Sequence, residues 1–215
     1  MLSLPLTNDL IEDSGFNLEA YVAAKFNETI DLLIENQIVN GSGVGENLGI
    51  IPAITRGGTD DPAFVVSGHA TTLTPDGLIK LKRAVPPQYA SAKNLAFCME
   101  YSGTGGALET MKDGQNRYLF KMGGASDGGL QGEAPDVLLG RSIAYSQFMP
   151  AIAANAFPVF YGDMTGYYMV KRLGFSIQIL REIGAQDNEV IVLGRVRFGG
   201  QPVETWKIKG QKVSV

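Results

Sequence analysis

The sequence predicts an α+β fold built around one long helix. Three observations predict it. Apolar residues recur at three- and four-residue steps from Leu18 to Ile38, drawing one stripe along a helix. The stretch from Thr74 to Glu100 carries one strong helix start and one buried strand. The last third of the chain is made of short β-rich runs separated by turn residues.

The opening segment reads as a helix pair. Thr7 can cap a short helix over Asn8-Asp9-Leu10-Ile11-Glu12-Asp13, with acids in the first turn where the dipole favours them. Ser14-Gly15 breaks it, and Asn17 caps the long helix from Leu18 to about Ile38. Leu18, Val22, Phe26, Ile30, Leu33, Ile34 and Ile38 form its buried stripe. Asn40-Gly41 ends it with a pair suited to positive φ. At ~1.5 Å per residue such a helix is about 30 Å long, the length of a strut across a molecule.

From Gly41 to Gly68 the chain reads as glycine-rich and irregular. Its glycines do not match a dinucleotide fingerprint, and they follow a helix instead of a strand. Thr74-Pro75-Asp76 starts a helix holding Leu78, Ile79, Leu81 and Val85, which Pro86-Pro87 stops. Asn94 to Glu100 reads as a buried strand, and Gly105 to Lys112 as a helix with a weak start. The loop from Met122 to Gly132 holds too many glycines to be rigid by itself.

Six strands are expected after that: Ser142 to Tyr145, Pro158 to Tyr161, Tyr167 to Lys171, Phe175 to Leu180, Val190 to Phe198 and Thr205 to Lys209. Phe175, Ile177 and Ile179 form the inner face of a half-buried strand. Val190, Val192, Gly194, Val196 and Phe198 share one side of the next, with Arg195 and Arg197 on the other. Gly199-Gly200-Gln201-Pro202 turns the chain. Trp206 and Ile208 then face in, with Lys207 and Lys209 out, and Lys207, Lys209 and Lys212 read as the charged face of an edge strand.

A chain of 215 residues with 45% hydrophobic and 19% charged residues can bury a real core, which excludes a disordered tail protein. No run approaches the ~18 apolar residues that span a bilayer, so no membrane partner is expected. Met1-Leu2-Ser3-Leu4-Pro5 has no basic or apolar leader pattern. A net charge of −4 excludes nucleic-acid binding through bulk electrostatics. One cysteine, Cys98, allows no internal disulfide, and one histidine, His69, allows no multi-histidine metal site.

Catalytic patterns are sparse. Cys98 sits in the apolar run Leu95-Ala96-Phe97-Cys98-Met99 and reads as a small core residue. His69 reads as an exposed loop imidazole. The pairs Asp60-Asp61 and Glu12-Asp13 read as turn and helix carboxylates. Asp163 ends a strand, where a catalytic acid can sit, but no partner is fixed beside it by motif. Serine-elbow, zinc-protease and Walker patterns are absent. No catalytic residue, cofactor site or metal site is assigned. That profile suits a building block better than an enzyme; the enzyme alternative rests on Asp163 and the glycine loops alone.

Several runs, in order, carry a family likeness. They are Leu10-Ile11-Glu12-Asp13-Ser14-Gly15-Phe16-Asn17-Leu18 with its exit Val39-Asn40-Gly41-Ser42-Gly43, then Lys112-Asp113-Gly114-Gln115-Asn116-Arg117-Tyr118-Leu119 and Leu138-Leu139-Gly140-Arg141-Ser142-Ile143. Met149-Pro150-Ala151-Ile152-Ala153-Ala154 and Val159-Phe160-Tyr161-Gly162-Asp163-Met164-Thr165-Gly166-Tyr167-Tyr168 follow. Together they resemble the major capsid proteins of tailed phages, the Hong Kong 97 fold.

The resemblance implies a long spine helix, a peripheral lobe with a β-hairpin and a mixed α/β axial lobe. It divides the chain at 1–40 (peripheral, short helix and spine helix), 41–163 (axial), 164–203 (peripheral hairpin) and 204–215 (return strand to the axial lobe). Met122 to Pro135 would be the tip meeting its copies on five- and six-fold axes, and Gly184 to Asn188 would approach neighbours at three-fold positions. The implied partner is the chain itself, as pentamers and hexamers of an icosahedral virion shell made in the bacterial cytoplasm. The shell encloses double-stranded DNA without specific binding; scaffolding protein, portal and maturation protease are further implied partners. An encapsulin-type compartment shell is the alternative. The family's N-terminal arm, extended loop and underlying strands would precede Thr7, so the chain is expected to be the C-terminal portion of a member. Edge strands exposed that way predict self-association. Ser142 stands where the family commonly has proline. No cross-link is inferred at Asn188.

Overall fold

The computed structural model describes residues 2–15, 17–56, 64–112, 114–116, 137–180, 182–183 and 188–214. The expected tip loop from Met122 to Pro135 and the Asp60-Asp61 pair lie outside them, as does most of the hairpin tip.

A six-stranded mixed sheet forms the larger layer. Its strands are β2 (Phe64–Val66), β3 (Leu95–Met99), β4 (Val137–Leu138), β5 (Arg141–Tyr145), β6 (Val159–Asp163) and β9 (Ile208–Lys212), in the spatial order β2-β9-β6-β3-β5-β4. Alternation explains why all five residues of β6 are buried. Val159 and Tyr161 point to one face, where Leu78, Leu81 and Val85 from and just beyond α4 (Pro75–Arg83) cover them. Phe160 points to the other, against Val39, Ile50, Ile54 and Ile208. The sheet is therefore sandwiched, with α4 on one side and α3 (Ile50–Arg56) on the other.

The smaller sheet has the order β1-β8-β7, from β1 (Leu2–Thr7), β8 (Glu189–Pro202) and β7 (Tyr167–Leu180). All its pairings are antiparallel. The short helix α1 (Asn8–Asp13) starts directly after β1, its first turn capped by the Thr7 hydroxyl. Then comes the long helix α2 (Leu18–Asn40), 23 residues or about 35 Å. Asn17 caps it, its side-chain oxygen accepting from the Ala20 N–H at 3.1 Å. Asn17→Ala should lower stability by about 1 kcal/mol in a denaturant titration.

The buried residues of α2 explain its role as a strut. Val22, Phe26, Ile30 and Ile34 are buried at steps of four. At about 100° per residue each step drifts by about 40°, so the buried face turns by about 160° from Val22 to Ile38. Val22 and Phe26 pack on Val192 of the small sheet, whereas Ile38 and Val39 pack on the cluster around Phe160. One helix thus buries different faces at its two ends. Leu33, expected in the stripe, is 43% exposed because the buried face has already turned past it.

Several expectations need correction. The stretch after Gly41 is not irregular throughout: it contains α3 and β2. Gly41 does not adopt positive φ (its φ is −54°); it is glycine because a Cβ there would collide with the Asn47 and Gln37 carbonyls. The positive φ values fall at Gly43 and Gly45, 77° and 73°. Gly105 to Lys112 is shorter than expected, a π-turn over Tyr101–Gly105 followed by α5 (Gly106–Glu109). Tyr167 to Lys171 and Phe175 to Leu180 are one strand, interrupted by bulges between Lys171 and Ser176. Gly199 to Pro202 does not turn the chain but pairs with Tyr167–Val170 inside the hairpin. There the Tyr167 ring occupies the space a Cβ on Gly200 would need.

The last strand is an interior one. Trp206 lies in a 3-10 turn over Thr205–Lys207 and is 40% exposed, while Lys209 is 2% exposed. Strand β9 lies between β2 and β6 with both faces covered, so alternation of charge did not report exposure. A strand also precedes Thr7: β1 pairs with Glu189–Gly194.

Candidate functional site

The groups that could carry chemistry are held as structural parts. Asp163 ends β6, is buried, and accepts a hydrogen bond from the Thr165 N–H at 3.0 Å, capping the 3-10 turn Met164–Gly166. The nearby Lys207 ammonium is paired with Glu204 at 2.5 Å. His69 is exposed, its Nδ1 accepting from the Thr71 N–H at 3.3 Å. Among the described residues no three His, Cys, Asp or Glu side chains converge where a metal could be held. No helix among them is long and apolar enough to cross a membrane.

Cys98 lies in the wall of a largely apolar cleft of about 410 Å³ between the C-terminal half of α2 and the large sheet. Glu35, Ile38, Val39, Tyr145 and Met169 also line it. Burial, with a smaller contribution from the Glu35 carboxylate, pushes the Cys98 thiol up to about 11. At neutral pH it is a protonated, unreactive thiol. Iodoacetamide should therefore label the folded chain far more slowly than the unfolded one, as mass spectrometry would show. The raised value favours the neutral form in the folded state. Its stabilisation is complete below pH 9 and is lost between pH 9 and 11, by about 2–3 kcal/mol.

The surface is more informative than the interior. Strand β7 is exposed on both faces over Tyr168-Met169-Val170-Lys171-Arg172 and again over Ser176-Ile177-Gln178-Ile179. Val170 is 67% exposed and Tyr168 54%. Ile177 and Ile179, expected to be half-buried, are 38% and 37% exposed: they lie on the same face as Val192, but among the described residues the cluster that Val192 forms with Val22 and Phe26 of α2 takes in no side chain of β7. Strand β7 pairs only with β8 in the sheet order, so its other backbone edge has no strand beside it among the described residues. A long edge strand with exposed apolar side chains is a pairing surface. The spine helix is similar: Tyr21 and Leu32 are exposed on the side away from Val22 and Phe26.

At the far end of the hairpin, Asn188 is already engaged. Its amide nitrogen donates to Asp9 at 3.2 Å, its oxygen accepts from Asn8 Nδ2 at 2.8 Å, and its φ is 57°. These bonds tie α1 to the turn before β8.

The family model described as the phage capsid family matches residues 1–212. The chain belongs to the phage capsid family. Capsids of empty and native GTA particles are similar over all of this chain and 73% and 72% of theirs, at 25% identity, with TM-scores of 0.84 and 0.85. A protein of Gordonia phage Cozz shares the fold at 13% identity over 100% of this chain and 69% of that one, TM-score 0.64. The holo-SrpI encapsulin complex of Synechococcus elongatus PCC 7942 shares it at 12% identity over 99% and 72%, TM-score 0.66. Among curated proteins none matches. The fold is the Hong Kong 97 fold expected from the ordered runs, and this phage capsid protein is a shell subunit with a structural role.

For a capsid protein the functional residues are surface residues, and these the sequence only partly disclosed. Arg195 and Arg197, read as lying on the side opposite Val190 and Val192, are exposed. The exposure of Tyr168, Val170 and Ile179 was not legible, because an apolar side chain at an interface looks the same in sequence as one in a core. The two-sided hydrophobicity of Tyr167 to Val170, without polar alternation, was the available signal.

Proposed function

We propose that copies of this chain assemble as pentamers and hexamers into an icosahedral virion shell enclosing double-stranded DNA, after synthesis in the bacterial cytoplasm. The observation that carries this reading is the family match over residues 1–212 together with a hairpin exposed on both faces. A two-stranded extension with uncovered apolar residues is marginal in water alone and is completed by a neighbour. The lobes are 1–40 with 164–203 at the periphery, and 41–163 with 204–215 at the axis. The packing of Ile208 against Phe160 and of Val192 against Phe26 supports that division.

The net charge of −4 fits a container whose contents must leave, since each phosphate contact would oppose release. Scaffolding protein, portal and maturation protease are the partners such a shell uses. The encapsulin likeness supports a second reading, a compartment holding protein cargo. Expression of the protein followed by light scattering and electron microscopy tests both. Closed particles with nuclease-protected DNA are expected when packaging proteins are present. Particles that retain a cargo protein and no DNA support the second reading, and a strictly monomeric product contradicts both.

A further inference from the structure

The hairpin and the spine helix carry opposite charge beside exposed apolar residues. The paired segments Tyr167–Leu180 and Glu189–Pro202 hold Lys171, Arg172, Arg195 and Arg197 against one acid, Glu189. All four cations are exposed, and no carboxylate among the described residues pairs with them. Helix α2 holds Glu19, Glu28, Asp31 and Glu35 against one cation, Lys25, which is paired with Glu28 at 2.7 Å. Glu28 and Asp31 are exposed, on the same side as Tyr21 and Leu32. The buried line through Val22, Phe26 and Ile30 runs along the opposite side at about 100° per residue. Each surface therefore pairs an apolar patch with a charge of one sign, and the signs are complementary.

We propose that the basic hairpin of one copy docks on the acidic outer face of the spine helix of a second copy, with Tyr168 and Val170 covering Tyr21 and Leu32 and with Arg195 and Arg197 facing Glu28 and Asp31. The contact is heterologous, since the two surfaces differ, and it closes into rings when repeated around an axis. DNA is the competing occupant of the four cations. Phosphates would leave Tyr168 and Val170 exposed, on the same face of the hairpin as Arg195 and Arg197, whereas the helix face covers both kinds of group. The proposal rests on the shell reading above and adds which surfaces meet.

Paired charge reversals test it. Arg195→Glu with Arg197→Glu, or Glu28→Lys with Asp31→Lys, should each cut the yield of particles at least about tenfold, because like charges then face each other across the contact. Circular dichroism should show each subunit folded. All four changes together should restore particle formation. Wild-type particles with undiminished yield from either reversed pair would overturn the docking while leaving the shell reading intact; no wild-type particles would overturn the shell reading itself. Unchanged particle yield with less DNA per particle after the Arg195 and Arg197 reversal would assign the cations to DNA, and so overturns the docking. Should a reversal unfold the subunit, cross-linking decides. Val170→Cys and Leu32→Cys copies, co-assembled and treated with a short bismaleimide, should give a covalent dimer of the two; absence of that dimer in assembled particles overturns the proposal.

Discussion

Phe97→Ala should destabilise the subunit by about 3–5 kcal/mol. Phe97 is fully buried in β3, at the centre of the six-stranded sheet, with its ring 4.5 Å from that of Tyr161 on the neighbouring strand. Removing the ring loses its transfer energy and leaves a cavity among Leu81, Val85 and Val159, which are held by the sheet and the segment of α4 and cannot collapse far. Against the 5–15 kcal/mol of a typical domain that loss is severe, so the variant is expected in the insoluble fraction or with a sharply lowered denaturation midpoint. A loss under about 1 kcal/mol would mean that the face of the sheet under α4 is not tightly packed.

Gly41→Ala should cost about 3 kcal/mol through a different mechanism, overpacking against backbone. The segment after the spine helix folds back as a small closed loop. The Gly49 N–H donates to the Gly41 carbonyl at 2.7 Å, the Gly43 N–H to the Asn47 carbonyl at 3.0 Å, and the Arg56 guanidinium to the Ser42 carbonyl at 2.9 Å. The Leu48 N–H donates to the Gly200 carbonyl of β8 at 3.0 Å, joining this loop to the hairpin. A methyl group at Gly41 meets carbonyl oxygens and not the tip of a flexible side chain, so the loop must open to accept it. Thermal unfolding measures the effect, and particle yield should fall with it, because the loop sets how the hairpin is held against the helix. Gly45→Ala has open space around it, and its cost comes only from the positive φ of 73°. It should therefore be the milder change.

The comparison of sequence and structure divides along a physical line. Local signals were legible. Thr7, Asn17 and Thr74 cap the helices they were expected to cap, because a cap is decided within four residues. The strand through Phe97 and the outward Arg195 and Arg197 were legible for the same reason. Long-range covering was not. Lys209 and Gln211 are buried because they share the sheet face of Tyr161 and Val159, over which α4 packs, and nothing near residue 209 states that. The same blindness hid the assembly surface. Val170 and Phe97 are both apolar residues in strands; one is exposed and the other buried, and only the arrangement of distant elements separates them. The ordered family runs filled that gap, since they carry the whole topology at once.

The account rests on the uncovered hairpin and the outer face of the spine helix being surfaces that copies of the chain share. A cryo-electron microscopy reconstruction of particles assembled from the protein tests this most directly. It should show closed icosahedral shells in which Tyr168–Arg172 and the Tyr21–Leu32 side of the helix are buried between neighbouring subunits. Shells in which both surfaces face solvent would contradict it.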